Sequence, residues 1–266
     1  TNLVQDKTKQ RVILWNYIDQ MITFSITLGH GSNNFDDSNG NDGNGTNAGH
    51  VRIYSWDGTN WTQVGNDIDG EAAYDESGLS VSMDSDGSHV AIGAYKNDGN
   101  GSDSGHVRIY SWDGTNWSQV GSDIDGEAAG DWSASGGASV SIDSDGSHVA
   151  IGAQYNGNKD QGHVRIFSWN GVAWSQVGND IVGDNNNYSG YSVSLSSDGT
   201  IVAIGATGHN NSRARVRIYS WDGSAWTQLG SDINGESSGD RCRVSVSIDR
   251  DGSHVAIGAH RNDGGR

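Results

Sequence analysis

The stretch Gly105-His106-Val107-Arg108-Ile109-Tyr110-Ser111-Trp112-Asp113-Gly114-Thr115-Asn116-Trp117 decides the fold, because near-copies of it begin at His50, at His163 and, more loosely, at Arg215. The marker tryptophans fall at Trp56, Trp112, Trp169 and Trp221, spacings of 56, 57 and 52 residues. Self-similarity at a fixed period of that length signals a propeller or an array of modules. Each period holds four strand-like segments, which in the first clear copy are 50–56, 61–64, 80–83 and 89–94. Asp57-Gly58 and Asp84-Ser85-Asp86-Gly87 supply tight turns between them, chemistry that accepts positive φ at low cost. Equivalent turns recur at Asp113-Gly114 with Asp145-Gly146, at Asn170-Gly171 with Asp198-Gly199, and at Asp222-Gly223 with Asp251-Gly252. Four short strands per period is the content of a propeller blade.

Side-chain alternation agrees. One face of 106–112 carries Val107 and Ile109 and the other carries Arg108, Tyr110 and Trp112, two-sided bulk that suits a strand sandwiched between neighbouring sheets. The small residues of Ala150-Ile151-Gly152-Ala153 suit close backbone approach, and they predict the innermost strand of a blade. The small-residue strand recurs near residue 28 and at Ala91, Ala150, Ala203 and Ala256. The Val-Arg-Ile strand recurs from Arg11, Val51, Val107, Val164 and Val216. Leu28-Gly29-His30 stands as a worn Ile-Gly-Ala, and Arg11 to Asn16 as a worn Val-Arg-Ile strand.

The expected architecture is therefore all-β, a single propeller domain of five four-stranded blades over residues 1–266. Residues 1–48 form a degenerate first blade and closing strand, followed by units 49–104, 105–161, 162–213 and 214–266. Pairing of the N- and C-terminal strands would close the ring and leave no exposed edge. The alternative is a segment of a larger propeller or open array.

Composition bounds the function. With 40 glycines, no proline and only 33% hydrophobic residues, the chain would suggest disorder if unpatterned, but ten tryptophans at periodic positions argue for short strands and many turns. A net charge of -17 leaves no basic stripe to displace counterions, so nucleic acid and anionic membrane surfaces are excluded as partners. No apolar run reaches the roughly 20 residues that span a bilayer, so direct membrane insertion is not expected. Thr1 at the start fits a processed secreted protein or a fragment of a longer one. Cys242 stands alone and reads as a small buried or half-buried thiol.

If strands alternate up and down, both tight turns lie at one end of each blade and the long connections at the other. Acidic residues collect at the long-loop end: Asp69, Glu71, Asp75, Glu76, Asp98, Asp103, then Asp123, Asp125, Glu127 and Asp131.

Gly78-Leu79-Ser80-Val81-Ser82, Gly137-Ala138-Ser139-Val140-Ser141 and Gly190-Tyr191-Ser192-Val193-Ser194 are each followed by a DG turn and Ala-Ile-Gly-Ala. In these words the chain resembles the FG-GAP repeat family, integrin-alpha-type propeller modules common in extracellular adhesion and surface proteins. The resemblance covers 49–266 well and 11–48 poorly. It departs in lacking the Phe before the first Gly and the Pro after Gly-Ala, where Tyr95, Gln154, Thr207 and His260 stand. The family's calcium loop is longer and richer in carboxylates than Asp84-Ser85-Asp86-Gly87-Ser88, and calcium takes six to eight oxygens. These turns therefore read as plain hairpins.

No catalytic constellation is legible. His50, His106 and His163 open one strand and His89, His148 and His254 another, so they recur with the fold. None has the spacing of a zinc site, and no metal centre or cofactor is expected from them. The loops Asn97 to Asp103 and Asn41 to Gly45 are the places where calcium is weighed, against a solvated loop. Trp112 and Trp117 are expected to pack across their hairpin or on the next blade, with sugar stacking as the alternative. Sequons stand at Asn44, Asn60, Asn100, Asn116, Asn187 and Asn210 and matter only in a secretory pathway. The expected function is a non-enzymatic extracellular or cell-surface module contacting other proteins or copies of itself, in a surface filament for instance. The alternative is a glycan-binding lectin or glycoside-acting enzyme. Residues 184–190 and 207–215 are the least repeat-like segments and the first places to look for a singular site.

Overall fold

The structure, a computed structural model, describes the backbone of residues 23–27 and residues 44–157, 160–208, 214–236 and 244–259 in full. The first sheet contains β1 (Thr23–Thr27), β2 (His50–Trp56), β3 (Trp61–Gln63) and β4 (Ile68–Asp69). In the second are β5 (Ser77–Met83), β6 (His89–Ala94), β7 (His106–Trp112), β8 (Trp117–Gln119) and β9 (Ile124–Asp125). The third repeats this order as β10 (Val140–Ile142), β11 (His148–Ala153), β12 (His163–Trp169), β13 (Trp174–Gln176) and β14 (Ile181–Val182). The fourth is β15 (Ser189–Leu195), β16 (Ile201–Ala206), β17 (Arg215–Trp221), β18 (Trp226–Gln228) and β19 (Ile233–Asn234), and the fifth holds β20 (Val244–Ile248) and β21 (Val255–Ala259). Every pairing within a sheet is antiparallel, and no helix occurs among the described residues. None is therefore long and apolar enough to cross a membrane.

Each complete sheet is a four-stranded propeller blade whose outer strand is broken in two. β8 pairs with the far end of β7 through Trp112↔Trp117, and β9 with its near end through Val107↔Ile124. The sheets are offset from the sequence repeat. The quoted stretch ends one sheet, and the Ser-Val-Ser and Val-Ala-Ile-Gly-Ala strands after it begin the next. Both DG turns lie at one end and the long connections at the other, as the alternation predicts.

The strand expected innermost is not the one that joins the sheets. Neighbouring sheets meet through their Ser-Val-Ser strands, where Ser80 and Ser82 hydroxyls accept from the Val140 and Ile142 amides, both at 3.0 Å. Ser141 accepts from Leu195 N and Ser194 from Ile248 N at 3.0 Å in the next two junctions. A strand at a junction needs side chains that satisfy the backbone groups of the sheet beside it, and serine does this where alanine does not. The small-residue strand is second in each sheet, and its closeness is to the adjacent sheet: a Cβ on Gly152 would lie 2.0 Å from the Gly190 carbonyl oxygen.

The core lies between sheets. Val51, Ile53, Ile68, Val90, Ile92 and Tyr110 fill the first interface, and equivalents fill the others. Tryptophan ties the outer parts. Trp112 and Trp117 pack across their hairpin with ring centroids 5.3 Å apart, and the pair lies on Gly65 of the preceding sheet. Trp117 Nε1 donates to the Val64 carbonyl at 2.9 Å, and Trp174 and Trp226 do the same to Val120 and Val177 at 2.8 Å.

β1 corrects the register at the N-terminal side. Ile26 pairs with Arg52 as Ile92 pairs with Arg108, so Ile26-Thr27 and not Leu28-Gly29 takes the Ile-Gly place. The outer edge of β21 is unpaired among the described residues, and Ile257 is 39% exposed. The expected closing strand Arg11 to Asn16 lies outside the described residues, as do Cys242 and Asn210.

Candidate functional site

The long-loop end carries a feature that the repeat does not generate. Tyr95, Trp132, Tyr155 and Tyr188 form an arc of edge-to-face rings that spans three sheets, with centroid separations of 5.7, 5.0 and 5.4 Å. Tyr95 directly follows β6, whereas Tyr155 stands one place further after β11 and Gln154 takes the equivalent of Tyr95. Trp132 and Tyr188 occupy the same place, directly before Ser133 and Ser189, with φ of 50° and 51°, and Glu76 occupies it before Ser77 with φ of 52°. Large residues in left-handed backbone are strained by roughly 1–3 kcal/mol each, a cost concentrated at functional sites. Backbone bonds over-determine that conformation: Trp132 N donates to Asp103 O at 3.1 Å and Tyr188 N to Asp160 O at 3.0 Å.

Polar groups border the rings. Tyr95 Oη donates to Glu76 Oε2 at 2.7 Å, and burial together with this carboxylate pushes the phenol up to about 12. Lys96 pairs with the other Glu76 oxygen. Tyr188 Oη donates to Asp160 at 3.2 Å, and burial and Asp160 raise its pKa. Tyr188 lies within 184–190, where the repeat breaks. Residues 209–213 of the second non-repeat segment are outside the described residues.

The acidic loops are braced. Asn97 Nδ2 donates to Asp75 at 3.0 Å, and Asp98 Oδ1 accepts from Asp103 N at 2.8 Å. Asn100 Nδ2 reaches the Gly126 and Glu127 carbonyls at 2.9 Å, and Asn44 Nδ2 the Gly70 carbonyl at 2.8 Å. Of the sequons, Asn60 and Asn116 are exposed at hairpin tips, Asn44 and Asn100 use their amides in these braces, and Asn187 is buried.

Between sheets at this end, His106 of β7 faces Glu71 Oε2 at 3.7 Å and Asp123 Oδ2 at 3.8 Å. His163 repeats the arrangement with Glu127 at 3.6 Å and Asp180 at 3.8 Å. Burial, with help from the neighbouring arginine, pushes both imidazoles down to about 4. At the opposite end the DG turns use their own carboxylates: Asp84 Oδ2 meets His89 Nδ1 at 2.8 Å and Ser88 Oγ at 2.9 Å, and Asp86 Oδ1 accepts from Ser88 N at 2.9 Å. These bonds hold the turn as a hairpin, while Asp84 Oδ1 is buried with no hydrogen-bond partner among the described residues. A shallow hollow of about 470 Å³ at that end, lined by Ser197, Asp198 and Asp249 to Asp251, includes no ring of the arc.

Comparison with known families finds residues 67–110 matching the FG-GAP repeat. Over that span the chain is similar to an FG-GAP repeat. The matched span runs from the end of the first sheet's outer strand, β4, into β7, so the FG-GAP frame crosses the boundary between the first and second sheets. Comparison with curated protein sequences finds no significant match. Solved structures similar to this chain include a hypothetical selenium-binding protein from Sulfolobus tokodaii, at TM-score 0.53 and 10% identity over 80% of this chain and 52% of that one. The Kuenenia stuttgartiensis hydrazine synthase is similar at TM-score 0.51 and 14% identity over 78% of this chain and 49% of that one. The chain thus spans about half the length of these structures, and at such identities the likeness concerns the fold alone.

The rings of the arc were each present in the sequence, but nothing at Tyr95, Trp132, Tyr155 and Tyr188 marks them as neighbours. The one available signal is that they interrupt the repeat.

Proposed function

We propose that this chain is a non-enzymatic, exported contact module, in which rigid propeller blades present the long-loop end to a partner protein or to another copy of the chain on a cell surface or surface filament. The observation that carries the reading is the aromatic arc, four rings in edge-to-face contact across three sheets at the long-loop end. Aromatic anchors in a polar surround are the usual centre of a protein contact. The ionisable clusters recur from sheet to sheet, whereas a reaction centre needs one singular set of groups. Export is inferred from the FG-GAP repeat, whose relatives are common outside the cell.

The test places a photo-crosslinking phenylalanine analogue at Tyr155 in the native cells, with Thr115 at the opposite end as control. A discrete protein adduct from position 155 and none from 115 is the expected result. Equal adducts from both ends, or turnover of fluorogenic glycosides by the purified protein, would refute it. The bordering carboxylates Glu76 and Asp160 favour a second reading, glycan recognition, since they can accept sugar hydroxyls beside a ring face. Binding on a glycan array that Trp132→Ala removes would select it.

A further inference from the structure

We propose that Glu71, His106 and Asp123, and again Glu127, His163 and Asp180, each bind a divalent cation of the zinc type between adjacent sheets. In both clusters the donor atoms, one imidazole nitrogen and two carboxylate oxygens, lie within 4.8 Å of one another. His106 is 1% exposed, and neither ring nitrogen has a hydrogen-bond partner among the described residues. Such a buried polar group is costly unless something satisfies it. The gaps of 3.7 and 3.8 Å to the two carboxylates are too long for hydrogen bonds and too short to admit a bridging water on each. Donors at about 2.1 Å from one tetrahedral ion stand about 3.4 Å apart, so binding would shorten the two histidine–carboxylate gaps by a few tenths of an ångström and draw the carboxylate oxygens together by up to about 1.4 Å.

The third sheet interface supplies independent support. Arg215 stands where His106 and His163 stand, and Asp184 and Asp232 take the places of the two carboxylates. Its guanidinium bridges them, through an ion pair with Asp184 and another with Asp232 at 3.2 Å. The same pocket thus holds a cation where the chain provides one. In the other two interfaces a neutral imidazole leaves the carboxylates facing a gap. Arg108 does not fill it: its guanidinium takes the other Glu71 oxygen at 3.6 Å and the Asp69 carbonyl at 2.7 Å. Imidazole selects zinc-type ions over calcium or magnesium, which take oxygen alone.

The experiment follows thermal unfolding and isothermal titration of the chelator-treated protein with Zn²⁺ alone, and with Ca²⁺ and Mg²⁺ in parallel. Two equivalents of Zn²⁺ should bind and raise the Tm by several degrees, with no shift from Ca²⁺ or Mg²⁺ at the same concentration. His106→Gln should leave one equivalent, and the double variant Glu71→Gln with Glu127→Gln should leave none. Both side chains are about 40% exposed, and because Glu71 also pairs with buried Arg108 the ion-free unfolding midpoint of the double variant is measured alongside to show that it folds. No Zn²⁺-dependent shift, or a shift undiminished in the double variant, would overturn the proposal, the latter assigning the ions to the acidic surface at large.

Discussion

Gly121→Ala tests the interlock between sheets. Gly121 has φ of +76°, and a Cβ there would lie 2.7 Å from Trp169 Cζ3 and 3.0 Å from Trp174 Cδ1. Alanine in left-handed backbone costs about 1 kcal/mol. Displacing the packed indole pair adds about 1–3 kcal/mol, the usual penalty of overpacking. Strain on the 2.8 Å bond from Trp174 Nε1 to the Val120 carbonyl adds up to about 1 kcal/mol. The expected loss is therefore about 2–5 kcal/mol, or roughly 4–20 °C in Tm for a domain of this size. Gly114→Ala is the control, because its φ is +94° and nothing lies within 4 Å of the added carbon. It should lose only the backbone cost of about 1 kcal/mol. Urea unfolding followed by tryptophan fluorescence measures both. Equal losses at the two positions would show that the tryptophan pair does not lock one sheet to the next, and the account of the outer interface would fall.

Further outcomes follow from the same geometry. His89 and His148 have raised pKa values because they bond Asp84 and Asp143. The folded pKa lies above the unfolded one, so their contribution is complete below about pH 6.5 and is lost as pH rises through the raised values. Asn at both positions should flatten the fall of the urea midpoint between pH 6 and 8.5, and an unchanged slope would count against the pairs. Expressed through a eukaryotic secretory pathway, the chain should carry glycans at Asn60 and Asn116 in preference to Asn187, Asn44 and Asn100, as read by mass spectrometry after deglycosylation. Dominant occupancy of buried Asn187 would contradict the described burial.

Much of the fold was legible because its signals are local. The period of the Val-Arg-Ile-Tyr-Ser-Trp words, the Asp-Gly turns and the two-sided bulk of each strand determine short antiparallel strands in repeated four-stranded sheets, with both tight turns at one end. Which strand meets the neighbouring sheet was not legible. Small size at Ala150 to Ala153 signals close approach but not to what, while the bond from Ser80 to the Val140 amide joins residues 60 apart in sequence. The register of β1 was lost for a similar reason, since a degraded copy carries two competing alignments and pairing with β2 chooses between them.

The candidate site was less legible still. By itself the sequence determined that this protein is a repeated all-β array with carboxylates gathered on its long-loop end. Only the tertiary structure decided that Tyr95, Trp132, Tyr155 and Tyr188 form one arc, and that Glu71 crosses to the next sheet to face His106. The physical reason is that strand periodicity specifies which face of a sheet a side chain takes, whereas contacts between sheets depend on how blades stack, and stacking brings together residues dozens of positions apart.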